Sequence, residues 1–244
     1  MTAGSRPRVL ARDQDYDSVM SYLRERGALP DPLTSSVSRQ AARLHAATYS
    51  LALWRFRLRG MRALVRAYVD EIYSDDIQVL PLALLGYRKP VALLLRGVLE
   101  NVLRHVYYAD HPVEHEWAQA APGSYETVAF YRDYMKRLIS SRRTGTRGRF
   151  DATSETQALY DLLSAQVHGR RVVDLEMRRA LRDVRFEAGW FRTFAETTRR
   201  CAQVANFVLL AYHGDRRLDA QTRRVLLDTL SQSARRTLRE VAPR

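Results

Sequence analysis

Three groups of side chains in this 244-residue chain have the types and spacing that acid–base and phosphate chemistry require. The first is Arg96, Glu100 and Arg104, at i, i+4 and i+8, with Asn101 and His105 beside them. On a helix these share one face, where Glu100 can pair with both arginines. The rest of that segment is mostly Leu, Val and Tyr, so the polar stripe faces protein, and buried ionic groups must be paired or used. The second group is Tyr160, Ser164 and His168, at the same spacing and followed by Gly169-Arg170-Arg171. A histidine at a helix C-terminus feels the negative end of the dipole, and two arginines just beyond it can hold a phosphate. Such a set suits RNA cleavage, with an imidazole to move the 2′-hydroxyl proton and cations to stabilise the phosphorane. Each group also has a plainer reading. Arg96, Glu100 and Arg104 can be a structural ion-pair ladder, and His168 can be a C-capping residue packed under Tyr160.

The third group is cationic. Between Arg39 and Arg66 lie seven arginines and no acid, and Arg55, Arg59, Arg62 and Arg66 step by four, three and four. On one continuous helix they form a narrow stripe. It has three destinations: solvent, acids elsewhere in the fold, or a polyanion such as nucleic-acid phosphate. A second acid-free stretch, Met135 to Phe150, carries Lys136, Arg137, Arg142, Arg143, Arg147 and Arg149 in a Ser/Thr/Gly-containing segment. It resembles the basic arms that order on RNA, and equally a plain surface loop.

Other chemistries find less support. His105, His111 and His115 lie near Asp110, Glu114 and Glu116, but Pro112 falls between the two histidines spaced i, i+4, so no metal site is expected. Cys201 stands alone and reads as a core thiol. There is no glycine-rich phosphate loop and no G-x-S-x-G elbow, and no cofactor is expected.

The elements that must position these groups are helical throughout, because apolar spacing follows a period of 3.6 and sustained alternation is absent. The expected fold is all-α, a bundle of about seven to nine helices. Residues 1–34 form a short helix and linker, and 35–244 form one bundle domain with a basic loop at 140–150. Predicted helices include a long one from about Ser36 to Tyr73, bent near Gly60, with a boundary at Ser74-Asp75-Asp76. Others run from Val91 to Ala109, ended by Asp110-His111-Pro112, from a Ser154/Gln157 capping box to Val167, closed by Gly169, in a short stretch from about Asp174 to Asp183, from Phe186 to His213, and from Asp219 to Glu240. The composition, 46% hydrophobic with a net charge of +13, fits a globular protein. Lys89 and Lys136 are the only lysines, so 38 of the 40 cations are arginine. The single cysteine, the lack of an apolar leader and the shortness of the apolar runs predict a cytoplasmic chain with no membrane partner.

The segments Arg96-Gly-Val-Leu-Glu100-Asn-Val-Leu-Arg104, Asp110-His-Pro-Val-Glu114 and Tyr160-Asp-Leu-Leu-Ser164-Ala-Gln-Val-His168-Gly together resemble the HEPN-type helical proteins of bacteria, over residues 80–210. The resemblance is to members associated with abortive infection and antiviral defence. Members of that superfamily are helical bundles that often dimerise, and many are metal-independent endoribonucleases with an Arg, four to six residues, then His. Here Arg39 to His45 and Arg104 to His111 have that spacing. The resemblance implies an RNA-binding homodimer, with RNA favoured over DNA, acting as an antiviral or toxin effector. Its catalytic candidates are Arg104 with His111, supported by Arg96 and Glu100, and His168 with Arg170 and Arg171. Arg55, Arg59, Arg62, Arg66, Arg142, Arg143, Arg147 and Arg149 would bind the nucleic acid. The alternative is a non-catalytic nucleic-acid-binding or protein-interaction subunit of a defence or nucleoprotein complex, whose basic face can also meet an acidic protein.

Overall fold

In the computed structural model, which describes residues 11–121, 126–142, 150–169, 178–214 and 218–243, the apolar periodicity resolves into ten α-helices and one 3-10 turn. They are α1 (Arg12–Glu25), α2 (Ser35–Arg57), α3 (Ala63–Leu84), α4 (Arg88–Asp110), α5 (Pro112–Ala120), α6 (Val128–Arg142), α7 (Ala152–His168), α8 (Ala188–His213), α9 (Ala220–Asp228) and α10 (Gln232–Val241), with the turn at Leu181–Asp183. No strand occurs among the described residues. The all-α expectation therefore holds, and the helices number slightly more than the seven to nine expected.

Several boundaries differ for identifiable reasons. The long helix expected from Ser36 to Tyr73 is two, because α2 ends at Leu58 and the chain turns through Gly60 before α3 begins after Arg62. Ser74-Asp75-Asp76 is no boundary: α3 runs through it, with Asp75 and Asp76 both buried. Pro81 sits near the end of α3 and removes only the bond to the carbonyl of Ile77, whose residue is exposed to water. The Asp219 to Glu240 helix breaks at Thr229–Ser231, where Ser231 caps α10 through the amide of Ala234. Helix α7 starts earlier than expected because Asp151, not Ser154, is its N-cap, accepting from the amides of Thr153 and Ser154. It closes as expected at Gly169, whose φ of +55° is the left-handed C-cap conformation. Of the short helix expected from about Asp174 to Asp183, residues 174–177 lie outside the described residues, and 178–183 hold only the 3-10 turn at Leu181–Asp183.

Helix α4 is central, with α3, α6, α7 and α8 packed around it, and α2 lies across α3 and α8. Leu95, Val98, Leu99, Val102 and Val106 give α4 its core stripe, and every residue of α8 from Cys201 to Ala211 is buried. Helix α1 joins the same core through Met20 and Leu23. One buried polar knot ties α2 to α8 and to the α9–α10 junction. Asn206 accepts from the Trp54 indole at 2.8 Å and donates to Ser50 at 2.7 Å and to Thr229 at 3.1 Å. Every one of those groups therefore has a partner, as burial requires. Among the described residues no helix is long and apolar enough to cross a membrane.

Gly86 makes the turn between α3 and α4, the most closely packed pair. Its φ is +83°, and an added Cβ would lie 2.3 Å from the Arg185 carbonyl oxygen. Neither that backbone nor the turn can give way cheaply. Gly86→Ala is expected to destabilise the fold by about 3 kcal/mol, from left-handed strain and overlap combined. A urea midpoint unchanged from wild type would contradict this.

Candidate functional site

The two polar stripes read from the sequence meet where α7 crosses α4. Arg96 Nη1 lies 2.9 Å from His168 Nε2, and Arg96 Nη2 donates to the Tyr160 hydroxyl at 2.5 Å. The Tyr160 hydroxyl donates in turn to Glu100 Oε1 at 3.1 Å. Glu100 also pairs with Arg96 at 3.0 Å and with Arg104 at 3.5 Å. A guanidinium can only donate, so His168 Nε2 carries its lone pair and the ring is neutral in this arrangement. With two guanidinium groups against one carboxylate, the cluster holds a net charge of +1. Glu100 is 15% exposed, Arg96 21% and Arg104 28%, whereas His168 reaches the surface.

The cluster is not the arrangement that stability alone would favour. Among the described residues the buried Nε atoms of Arg96 and Arg104 have no acceptor, and the buried Ser164 hydroxyl, turned inward from the same stripe, has no partner. Each such group costs free energy that an apolar contact would not. Sites that break local rules without a structural return are candidates for function.

His111 is placed elsewhere. It caps the end of α4, donates from Nδ1 to the Tyr107 carbonyl at 2.8 Å, stacks on the Tyr107 ring at 4.2 Å and meets the edge of Tyr134. Arg104 lies two turns earlier, roughly 10 Å along the helix, and its charge is engaged by Glu100. The first Arg-to-His spacing is also separated in space. Arg39 is exposed on α2, and His45 is buried and bonded through Nε2 to Asp15 at 2.8 Å. Burial lowers its pKa, and Asp15 opposes that shift.

The arginine stripe does not exist as one helix face, because the turn at 58–62 divides it. Arg55 ends up on α2, Arg59 in the turn, Arg62 at the N-cap of α3 and Arg66 within α3. Distant acids then meet it. Asp70 pairs with Arg55 at 3.1 Å and with Arg66 at 3.3 Å, and Glu116 pairs with Arg62 at 2.9 Å. Among the described residues only Arg59 of the four has no carboxylate within ion-pair distance. Arg142 ends α6 and donates to the Ala211 carbonyl at 2.6 Å, with its guanidinium over the Tyr212 ring. Arg143, Arg147, Arg149, Arg170 and Arg171 lie outside the described residues.

The histidines considered as metal ligands have separate partners. His115 is buried against the rings of Tyr68 and Tyr108, and no group of three ligating side chains is assembled among the described residues. His105 forms a pair that spacing did not suggest, since its Nε2 lies 2.9 Å from Nε2 of His213, 108 residues away. His105 Nδ1 faces the Val65 carbonyl at 3.1 Å, so it must be the protonated nitrogen. Nε2 of His105 is then the acceptor, Nε2 of His213 the donor, and Nδ1 of His213 keeps a lone pair. Burial lowers the His105 pKa to about 4, and burial with His105 alongside lowers that of His213 to about 3, so both rings are neutral near pH 7. The only trace in the sequence was that each histidine lies on an apolar helix, where an imidazole must find a partner.

Comparison of the chain with protein-family models, with curated proteins and with solved structures finds no match.

Proposed function

We propose that this protein is a HEPN-like RNA-binding protein whose α4–α7 cluster acts as a metal-independent endoribonuclease centre, in a cytoplasmic homodimer serving antiviral defence. The observation that carries the reading is the convergence of Arg96, Glu100, Arg104, Tyr160 and His168. It sets a neutral imidazole, whose lone pair accepts from Arg96, against a net positive charge.

In this reading His168 Nε2 takes the proton of a 2′-hydroxyl once a phosphate draws the Arg96 donor away. The 2′-oxygen then bonds to phosphorus as the bond from phosphorus to the 5′-oxygen breaks, and the leaving oxygen takes a proton from solvent. Arg96 and Arg104 stabilise the charge that builds on the phosphorane, and Glu100 with Tyr160 holds the guanidinium groups in place. The products are a 2′,3′-cyclic phosphate and a 5′-hydroxyl.

The test is incubation of the protein with end-labelled RNA in EDTA. The reading expects cleavage that survives chelation, leaves cyclic phosphate ends and is lost in His168→Ala. Loss in His111→Ala with His168→Ala unaffected would assign the chemistry to Arg104 and His111 instead. Cleavage unchanged in both variants would remove the enzyme reading.

A second reading is favoured by one observation, the acids paired with Arg55, Arg62, Arg66, Arg96 and Arg104. It is a non-catalytic subunit in which the same cations are structural or grip a partner. Salt separates a nucleic-acid-binding subunit from a protein-interaction one, because phosphate contacts predict a steep fall in RNA affinity from low to moderate salt, and the cleavage assay separates both from the enzyme.

A further inference from the structure

We propose that the cavity where the C-terminal ends of α2, α4, α6 and α8 come together binds a small organic anion that also carries an N–H or O–H donor. This site is separate from the α4–α7 cluster and does not depend on the RNA reading. Its volume, about 780 Å³, lies within the range of small-molecule sites. Trp54, Met61 and Leu218 supply apolar wall. The polar groups in the lining are few, and their existing bonds state what a ligand must bring.

His213 supplies the acceptor. The Val65 carbonyl fixes the His105 tautomer, which fixes that of His213 and leaves Nδ1 of His213 as a lone pair with no protein hydrogen bond among the described residues. Only a donor can satisfy it. Arg142 supplies the cation. One of its N–H groups goes to the Ala211 carbonyl and its face lies over Tyr212, and no carboxylate is within ion-pair distance among the described residues.

The other charges in the lining are already engaged. Arg57 is held by Asp219 and by the Thr222 hydroxyl at 2.5 Å. Asp110 accepts one phenol on each oxygen, from Tyr212 at 2.5 Å and from Tyr134. Its charge is thereby spread over two hydrogen bonds, which reduces its repulsion of an incoming anion. One open acceptor and one open cation in a common cavity call for a ligand with a donor and an anionic group.

The experiment titrates the full chain with four probes by calorimetry and by long-range ¹H–¹⁵N spectra of the histidine rings. Two probes carry both groups, 4-hydroxybenzoate with a carboxylate and adenosine 5′-monophosphate with a phosphate. Benzoate lacks the donor and 4-hydroxybenzamide lacks the anion. The proposal expects at least one of the first pair to bind about tenfold or more tighter than both controls, since the Arg142 contact is a charge-assisted hydrogen bond and a ligand without a donor leaves the His213 Nδ1 acceptor desolvated and unmet. Which of the two binds tells a carboxylate ligand from a phosphate ligand. The His213 Nδ1 resonance should shift on binding, and Arg142→Gln and Met61→Trp, which fills the cavity, should each weaken it about tenfold or more. Equal binding of the controls, no binding of either paired probe at millimolar concentration, or binding that leaves His213 Nδ1 unmoved would overturn the proposal.

Discussion

Replacing Asp76 with Asn should raise the unfolding free energy at pH 8 by about 2 kcal/mol and change it little at pH 4.5. Asp76 lies wholly buried on α3, and neither carboxylate oxygen has a hydrogen-bond partner among the described residues. Burial raises its pKa well above 3.8, and Asp75 beside it raises it further. Asp75 is itself pushed up to about 6 by burial and by Glu71, with its Oδ2 lying 2.8 Å from where a Cβ on Gly97 would stand. A carboxyl whose pKa is higher in the folded chain than in the unfolded one favours folding while it stays protonated. Its contribution is complete below about pH 4 and is lost as pH rises, through about 6 for Asp75 and onward for Asp76. The buried histidines act in the opposite direction. His105 and His213 titrate near 4 and 3 when folded and near 6.5 when unfolded, so their stability is lost as pH falls below 6.5. Only the difference between variant and wild type isolates Asp76. Urea midpoints at constant ionic strength should converge toward acid and separate toward alkali, and parallel curves across pH 4.5–8 would show that Asp76 is not a buried, unpaired acid.

On the proposed endoribonuclease reading, His168→Ala is expected to cleave RNA about 10²–10⁴-fold more slowly than wild type, the range in which one positioned base contributes to a proton transfer. Glu100→Gln separates holding from catalysis at the same centre. It removes the charge that Arg96 and Arg104 share, takes the cluster from +1 to +2, and leaves a side chain of nearly the same shape. RNA should then bind more tightly and with a steeper salt dependence, whereas kcat should drop because the guanidinium groups lose their common anchor. A change in KM alone, with kcat preserved, would place Glu100 outside the reacting centre. Tyr160→Phe should follow Glu100→Gln in kcat without the gain in binding, because it deletes the hydroxyl between Arg96 and Glu100 but no charge.

Much of the cluster was legible one helix at a time. The i, i+4 spacing of Arg96, Glu100 and Arg104 predicts their ion pairs, and these form at 3.0 and 3.5 Å. Gly169 was recognisable as a C-cap, and Asp110-His111-Pro112 as a helix end, because these depend on local backbone sterics. The arginine stripe misled for the same reason. A periodicity argument carries a helix face through Gly60, and it has no means of bringing Asp70 or Glu116 to the other side.

By itself the sequence determined the helical class, most helix ends, and which polar residues share a face. Each follows from interactions within a few residues along the chain. The tertiary structure decided the rest: that Tyr160 and His168 lie on Arg96 and Glu100 across sixty or more residues, that Asp76 is stranded in the core, and that His105 meets His213. These depend on how side chains from distant helices interlock around α4, and a complementarity of shapes between helices leaves no periodic trace in either strand of sequence.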